Sequence, residues 1–346
     1  MDLLKAYNTV NMILDTIDFD ILFEGFHKYR FALYSSEEIV MDGKAIPYRD
    51  DFRGNTAKEY EGEYVAIWNM EADPVEDMER LAYLLVHEMF HCHQFTNNET
   101  RFPSDLMLLN YPADVDNFTK KYNENRYLAK AYEQGDMEQL RKFSCIRESR
   151  YKKYPDMVCQ EWKVETLEGM AEYIGLKALE FINKEKYFAI VEEYLGKLRE
   201  ESKLLFDVRR ISYYTGAVFF LCMEKFGLEV SNAFDSELTA YEQNVIDTTD
   251  ITAEVLSYDF IPSLFAELEA DKKSKLKECM EHVGYTECHA SICGYDPMNM
   301  FRQGGLIYCN HFVCLNENGK VKNLFSAAVL KLAEGSDRDV VGYYKE

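Results

Sequence analysis

The stretch LLVHEMFHCHQF, Leu84 to Phe95, constrains this chain more than any other, because it joins helical periodicity to a fixed pair of histidines. Apolar residues recur through it at the spacing of an α-helix. His87 and His91 are four residues apart, so both imidazoles leave such a helix on one face, where two nitrogens can bind a single zinc ion. Glu88 stands beside the first histidine, where its carboxylate can take a proton from a water molecule. The stretch therefore predicts two metal ligands and a general base, and it leaves a third ligand to be found.

The residues around the motif set the limits of this helix. Asp73 can cap its first turn and Pro74 suits the first helical position, so the helix is expected to begin there. His93 points away from His91 and is expected to be a polar or partly exposed side chain rather than a ligand. Gln94 lies nearer the ligand face and is a candidate to support the ligands from outside.

The third ligand is sought in PDMVCQEWKVETLEGMAEYIG, which predicts a second helix. Four carboxylates follow one stripe of that helix: Glu161, Glu165, Glu168 and Glu172. Such a stripe usually faces solvent, but Gly169 costs a helix about 1 kcal/mol, which close approach by another helix would justify. Glu168, beside that glycine, is the preferred third ligand, and Glu165 is its rival. Glu172 is expected to accept a hydrogen bond from the far nitrogen of a ligand histidine.

Composition narrows the class of protein. The 346 residues are 47% hydrophobic and carry a formal net charge of −22, which describes a globular chain that repels nucleic acid and anionic membranes. The amino-terminal segment does not have the pattern of a secretory signal, and the nine cysteines lack the spacing of a disulfide scaffold. We therefore expect a cytoplasmic protein with reduced thiols, no membrane span and no nucleic-acid partner.

The order of segments predicts an α+β fold that is mainly α. Residues 1–73 are expected to form a short helix and a small antiparallel sheet, broken at Asp42-Gly43 and Gly54-Asn55. Residues 74–283 are expected to form the helical core with the zinc site. Residues 284–346 are expected to form a small β element with a hairpin at Asn316-Glu317-Asn318-Gly319.

The carboxyl-terminal region holds a second group of metal-binding residue types. Its members are Cys279, His282, Cys288, His289, Cys293, Cys309, His311 and Cys314. A structural zinc site is one interpretation, but no paired C-x2-C spacing is present, so ordinary buried thiols are favoured. His311 is an alternative candidate for an oxyanion donor.

HEMFH followed by ETLEGMAEY resembles the gluzincin zinc metallopeptidases, the clan of thermolysin-like enzymes and membrane-alanyl-aminopeptidase types, across roughly residues 52–227. The resemblance implies one catalytic zinc ion held by His87, His91 and Glu168, with Glu88 as general base and Glu172 behind a histidine. SYYTGAVFFLCMEKFG resembles the aminopeptidase segment that supplies an oxyanion donor, which implies Tyr213, with Tyr214 as the alternative.

The chain departs from that clan in the long separation of His91 from Glu168, so residues 96–156 are expected to form a helical insertion between the ligand helices. The strand near Asn55 to Ala57 is expected to pair with an extended peptide. The resemblance implies a zinc-dependent metallopeptidase acting on a peptide or protein substrate. The alternatives are a zinc hydrolase with a non-peptide substrate and an inactive peptide-binding relative.

Overall fold

The computed structural model describes residues 2–281 and 283–345, with helices in the middle of the chain and strands mostly toward its two ends. The helices are α1 Leu3–Leu14, α2 Phe19–Leu22, α3 Met78–Thr96, α4 Asp105–Leu108, α5 Val115–Gln134, α6 Met137–Lys153, α7 Pro155–Val164, α8 Met170–Ile182, α9 Lys184–Arg199, α10 Val208–Lys225, α11 Ala240–Gln243 and α12 Phe260–Glu281. The strands are β1 Phe31–Tyr34, β2 Glu38–Met41, β3 Lys44–Pro47, β4 Thr56–Tyr60, β5 Glu63–Asn69, β6 Tyr285–Tyr295, β7 Met300–Gln303, β8 Leu306–Cys309, β9 Phe312–Glu317, β10 Lys320–Phe325, β11 Ala328–Leu332 and β12 Asp339–Lys345. The predicted class, α+β and mainly α, is confirmed.

The amino-terminal sheet has the order β3-β2-β1-β5-β4. Its pairs are antiparallel except β1 with β5, which run parallel, so the expected antiparallel sheet is mixed. Asp42 and Gly43 form the predicted turn between β2 and β3, and their φ angles of 51° and 71° suit a two-residue hairpin. A second hairpin turns at Glu61-Gly62, which the sequence analysis did not single out.

Helix α3 lies at the centre of the main hydrophobic core. It packs against β5 on one side and against α1 and α8 on others, and nearly all of its residues after Arg80 are buried. The helix begins at Met78, because the side chain of Asp77 caps it by accepting from the backbone N–H groups of Glu79 and Arg80. The predicted start at Pro74 is therefore wrong by one turn. The histidines of α3 therefore lie in the protein interior.

Between the two predicted ligand helices the chain forms α4, α5 and α6. Helices α5 and α6 pack on each other, and Gly135 ends α5 with a left-handed φ of 61°. They also contact α10 and α7 respectively, so this helical segment lies against the helix that carries Glu168. A π-helical turn, Glu165–Gly169, joins α7 to α8 without a break.

The carboxyl-terminal strands form a seven-stranded antiparallel sheet in the order β10-β9-β6-β12-β11-β8-β7. This sheet is larger than the small β element expected. It has an apolar core of its own, and α12 packs against it. The predicted hairpin is present, with Asn318 and Gly319 at positive φ between β9 and β10. Within the described ranges, no helix is both long and apolar enough to cross a membrane.

Candidate metal centre

His87 and His91 face each other one turn apart on α3, with their Nε2 atoms 3.0 Å from each other. Glu168 comes from the π-helical turn, and its Oε2 lies 3.2 Å from His91 Nε2 and 3.6 Å from His87 Nε2. All three side chains are buried. We call these three residues the metal cluster.

The distances between the three ligand atoms of the metal cluster fit tetrahedral coordination of one ion. Ligand atoms about 2.0–2.1 Å from one zinc ion lie roughly 3.3–3.4 Å from each other. The three observed separations, 3.0, 3.2 and 3.6 Å, bracket that value. Three donors leave a fourth position open, which is the arrangement of a catalytic metal site. The metal cluster can therefore hold a metal ion.

The far nitrogen of each histidine meets a polar side chain. Glu172 Oε1 lies 3.4 Å from His87 Nδ1, and Gln94 Oε1 lies 2.7 Å from His91 Nδ1. The amide of Gln94 also donates to the backbone carbonyl of Leu167 at 2.9 Å, which ties α3 to the ligand-bearing turn. These contacts orient both rings with Nε2 toward the metal position. The sequence analysis anticipated both positions.

Two tyrosines complete the surroundings of Glu172. Tyr83 and Tyr194 both donate hydrogen bonds to its second carboxylate oxygen, at 2.5 and 2.6 Å. Both phenols are buried, and burial raises their pKa well above the usual value, so they remain donors. The sequence analysis missed this pair, because nothing in the spacing relates α9 to α3.

Gly169 places the ligand-bearing turn directly against α10. A Cβ built on Gly169 would lie 2.7 Å from the Cα of Gly216, and one built on Gly216 would lie 2.8 Å from the Cα of Gly169. No real Cβ fits at that distance, so the two backbones touch there. This contact is the close approach by another helix that the glycine predicted.

Glu165, the rival ligand, is occupied elsewhere. Its two oxygens accept two hydrogen bonds from the guanidinium of Arg147, both at 2.6 Å. This pair belongs to a fully buried group of three acids and three bases, which we call the ionic network: Lys121, Glu124, Arg147, Arg150, Glu161 and Glu165. A carboxylate held by a bidentate guanidinium is not free to bind a metal.

Glu88 is 7% exposed and lies beside the metal cluster. Burial raises the pKa of its carboxyl, although His87 and His91 pull it back in part. Within the described chain, no group donates a hydrogen bond to this carboxylate, so both oxygens remain available to accept a proton. Charge acts in the opposite direction on Glu168, where the nearby His91, His87 and Arg209 outweigh burial and hold the pKa well below its usual range.

Helix α10 brings Tyr213 and Arg209 to the other side of the site. The Tyr213 ring lies nearly parallel to the His87 ring, with centroids 6.5 Å apart, and burial beside Glu168 raises its pKa well above 10. Arg209, one turn earlier, donates from Nη2 to Glu168 Oε1 at 3.1 Å and pairs with Asp105. The sequence analysis missed Arg209, although its spacing of four from Tyr213 was a usable signal.

The alternatives to these residues lie elsewhere. Tyr214 packs its ring against Tyr194 with centroids 4.8 Å apart. His93 is 4% exposed, so it is not partly exposed, although it keeps a polar contact with Asn97 at 3.2 Å. It lies among the rings of Phe23, Phe26 and Phe90, and burial lowers its pKa to about 4.

The carboxyl-terminal cysteine and histidine residues do not assemble in the same way. Across residues 2–281 and 283–345, the metal cluster is the one group of three such ligands close enough to share an ion. Within the described residues no disulfide joins any of the cysteines, and Cys309 is buried whereas Cys293 is exposed. His311 is paired with Asp296 at 2.8 Å, and His282 lies outside the described residues.

Comparison with known proteins found no relative of this chain. No family model matches the chain, and no curated protein or solved structure matches it. The chemistry of the site must therefore be argued from its own residues.

Proposed function

We propose that this chain is a zinc-dependent metallopeptidase, a hydrolase that cleaves peptide bonds. The observation that carries the proposal is the metal cluster with the unbonded carboxylate of Glu88 beside it. Two histidines and one glutamate are a ligand set typical of catalytic zinc. The likeness of HEMFH and ETLEGMAEY to the gluzincin clan supports the same assignment.

Zinc, when bound, acts as a Lewis acid that polarises a carbonyl oxygen and makes water acidic enough to lose a proton near neutral pH. Glu88 is the group that receives this proton, and its raised pKa brings it closer to the pH at which a general base works well. It then delivers the proton to the nitrogen of the leaving amine. The water oxygen forms a bond to the carbonyl carbon, the C–N bond then breaks, and a carboxylic acid and an amine are formed.

Tyr213 and Arg209 lie opposite α3 and serve different purposes in this proposal. The phenol of Tyr213 keeps its proton and donates a hydrogen bond to the oxyanion that develops, an effect worth about 2.7–4 kcal/mol for a well-placed donor. Arg209 holds the outer oxygen of Glu168, which leaves Oε2 turned toward the two histidines.

The substrate backbone has a natural place to bind in this proposal. Strand β4 is one of the two edge strands of the amino-terminal sheet, and it contacts α3. An extended peptide can add to such an edge through backbone hydrogen bonds. The edge includes Thr56 and Ala57, as the sequence analysis expected.

The test has two measurements. Metal content of the purified protein is measured by mass spectrometry, and a peptide library is digested with and without a chelator. We expect one zinc ion per chain and cleavage that the chelator abolishes. Glu88→Gln should keep the zinc and lose hydrolysis by several orders of magnitude, while Glu185→Gln, an exposed position on α9, serves as the matched control.

The outcomes separate the parts of the proposal. Full hydrolysis by Glu88→Gln would remove this residue as general base. A different bound metal would overturn the zinc assignment. Bound zinc without peptide cleavage, together with chelator-sensitive hydrolysis of an epoxide or a simple amide, would replace the peptidase by a hydrolase of small molecules.

A further inference from the structure

A cavity of about 710 Å³ lies on the side of α3 that bears His93. Its walls come from the segment that follows α2, the last turns of α3, helix α8 and the segment that follows α10. The described residues that line it include neither Glu88 nor any member of the metal cluster. We call it the His93 cavity.

Aromatic rings form much of the wall of the His93 cavity. The rings that line it are those of Phe23, His27, Tyr29, His93, Tyr173 and Phe234. Phe23, His93 and Phe234 are mutual neighbours, with ring centroids 5.3–5.9 Å apart. The ring of His27 stacks on that of Tyr29, with centroids 4.3 Å apart. The faces of aromatic rings carry partial negative charge, so they attract a cation that lies within about 6 Å of them.

The charged side chains of the wall leave an excess of carboxylates. Glu24, Glu224 and Glu229 line the cavity together with one ammonium group, that of Lys177. This ammonium lies 3.5 Å from the carboxylate of Glu224. In the part of the chain that the structure describes, no basic group forms an ion pair with Glu24 or Glu229. Two carboxylates are therefore left to attract a positively charged ligand.

One buried amide in the wall is only partly satisfied. Asn232 is 4% exposed, and its Oδ1 accepts a hydrogen bond from Nη2 of Arg101 at 2.8 Å. Its Nδ2 has no hydrogen-bond partner among the described residues. A buried donor without an acceptor costs free energy of folding, which an oxygen atom of a ligand would recover. We therefore expect a ligand of this cavity to carry an oxygen atom as well as a positive charge.

We propose that the His93 cavity binds a small organic cation, an alkylated ammonium compound with an oxygen atom near its charge. The alkylated nitrogen lies against the aromatic rings and faces the carboxylates of Glu24 and Glu229, and the amide of Asn232 donates to the oxygen. A metal cation fits less well, because most of the wall is aromatic and supplies no ligand oxygen. A neutral compound would leave the two carboxylates without a partner. This binding is separate from the proposed hydrolysis.

The experiment compares a cation with an uncharged compound of the same shape. Choline and dimethylbutanol, the alcohol in which a carbon atom replaces the nitrogen of choline, are each titrated into the full chain by calorimetry. We expect choline to bind at least about tenfold more tightly, because only its charge is attracted by the rings and the carboxylates. Equal affinity of the two compounds, or no detectable binding of choline, would overturn the proposal.

Substitution of one ring tests the location. Phe234→Leu keeps an apolar side chain but removes an aromatic face, so we expect the Kd of choline to rise about fivefold and that of dimethylbutanol to change less than about twofold. Phe234→Tyr keeps the ring and should keep the affinity, which separates loss of the ring from a folding defect. Phe188→Leu is the matched control, because Phe188 is 58% exposed on α9 and lies outside the cavity. Choline affinity that survives Phe234→Leu, or that falls equally with Phe188→Leu, would overturn the assignment to this cavity.

Two further titrations test the carboxylates and the amide. Glu229→Gln should weaken choline binding about threefold at low salt, whereas Glu237→Gln, at an exposed position outside the cavity, should not. Tetramethylammonium lacks the oxygen, so we expect it to bind about fivefold more weakly than choline. Equal affinity of these two cations would overturn the role of Asn232.

A chelator distinguishes this inference from the proposed function. The His93 cavity shares no residue with the metal cluster, so choline should bind equally well after the metal is removed. Choline binding without any peptide hydrolysis would overturn the peptidase and uphold the cavity. Peptide hydrolysis without choline binding would do the reverse.

Discussion

The helix built from α7, the π-helical turn and α8 carries a row of glutamates whose two halves meet opposite surroundings. Glu161 and Glu165 are neutralised by guanidinium and ammonium groups that never lose their charge under ordinary conditions. Glu168 and Glu172 face the imidazoles of α3, which can be neutral. Both halves are largely buried, so burial alone does not identify a metal ligand. The partner does, because Glu165 gives both oxygens to one guanidinium, whereas Glu168 gives only its outer oxygen to Arg209 and keeps Oε2 facing the histidines.

The comparison is tested most strongly by removing a permanently charged residue from the surroundings of Glu161 and Glu165. Arg147→Met leaves Glu165 and Glu124 without their shared partner in a fully buried place. We expect the free energy of unfolding to fall by about 3–5 kcal/mol, as for other broken buried ion pairs. Urea unfolding followed by circular dichroism measures it, and the folded fraction should still bind one metal ion.

A surface pair gives the control for that measurement. Arg49 pairs with Asp51 where both side chains are about half exposed, at 51% and 45%. Arg49→Met should leave the free energy of unfolding nearly unchanged, because solvent screens an exposed pair. If Arg147→Met proved equally mild, the ionic network would not be what holds the first half of the helix in place.

The next largest effect is expected on metal affinity, when Glu168 and Glu165 are substituted one at a time. Glu168→Gln removes the carboxylate ligand, and we expect metal affinity to fall by more than about a hundredfold, since even outer partners are worth 10–100-fold. Glu165→Gln should retain metal affinity but lose stability, because Arg147 then keeps only Glu124 as a carboxylate partner. Competitive titration with a chelator and urea unfolding on both variants form a two-by-two comparison. Unchanged metal in Glu168→Gln would redirect the search to Glu165.

Much of the site could be predicted because its signals are local. The spacing of His87 and His91 and the glycine after Glu168 each reflect one helix, and both pointed to residues that the structure brings together. The ionic network could not be predicted, because it depends on how distant helices cross, and Arg209 was signalled only by its spacing of four from Tyr213. The π-helical turn was also missed, since an α-helical wheel places all four glutamates on one stripe.

The same division between local and long-range signals applies to the prediction of the fold. The predicted hairpin turns at Asp42-Gly43 and Asn318-Gly319 depend on residues that accept positive φ, and both are present. The parallel pairing of β1 with β5 and the seven-stranded carboxyl-terminal sheet depend on pairing between distant segments, which short patterns do not encode. The burial of His93 was likewise not predicted, because its aromatic neighbours come mainly from the distant α2 region.

A smaller effect is expected from a substitution near Glu168 and Glu172, the second half of the row of glutamates. Gln94→Ala removes the acceptor that orients His91 and the donor that reaches Leu167. We expect metal affinity to fall about 10–100-fold with little loss of stability. The same chelator titration measures it. Gln94→Glu should restore most of the affinity, because a carboxylate also accepts from the imidazole, and failure of that rescue would point to the Leu167 contact instead.

Acidity should affect the two halves in different pH ranges. Burial lowers the pKa of His87, but Glu172 and Glu168 outweigh it and raise the pKa to about 9 in the metal-free protein. A metal must displace that proton, so apparent affinity should fall about tenfold for each pH unit below about 9. Zinc titration at pH 7, 8 and 9 tests this, and a flat profile would contradict a protonated His87.

The ionic network supplies the contrast. Burial raises the pKa of Glu161, but Arg150 and Lys121 outweigh it, so the pKa lies below its ordinary value of 4.5. Its stabilisation is complete above pH 4.5 and is lost only as the pH falls through that lower value. Between pH 7 and 9 the network should contribute a constant free energy of unfolding, while metal affinity changes.

The π-helical turn Glu165–Gly169 holds one residue more than an α-helical turn would need. If the same five residues were wound as a regular α-helix, everything beyond them would rotate by about 100°. Glu168 and Glu172 would then swing away from the histidines while every side chain of the metal centre was still encoded. The centre thus depends on how this turn is wound as well as on which side chains it carries.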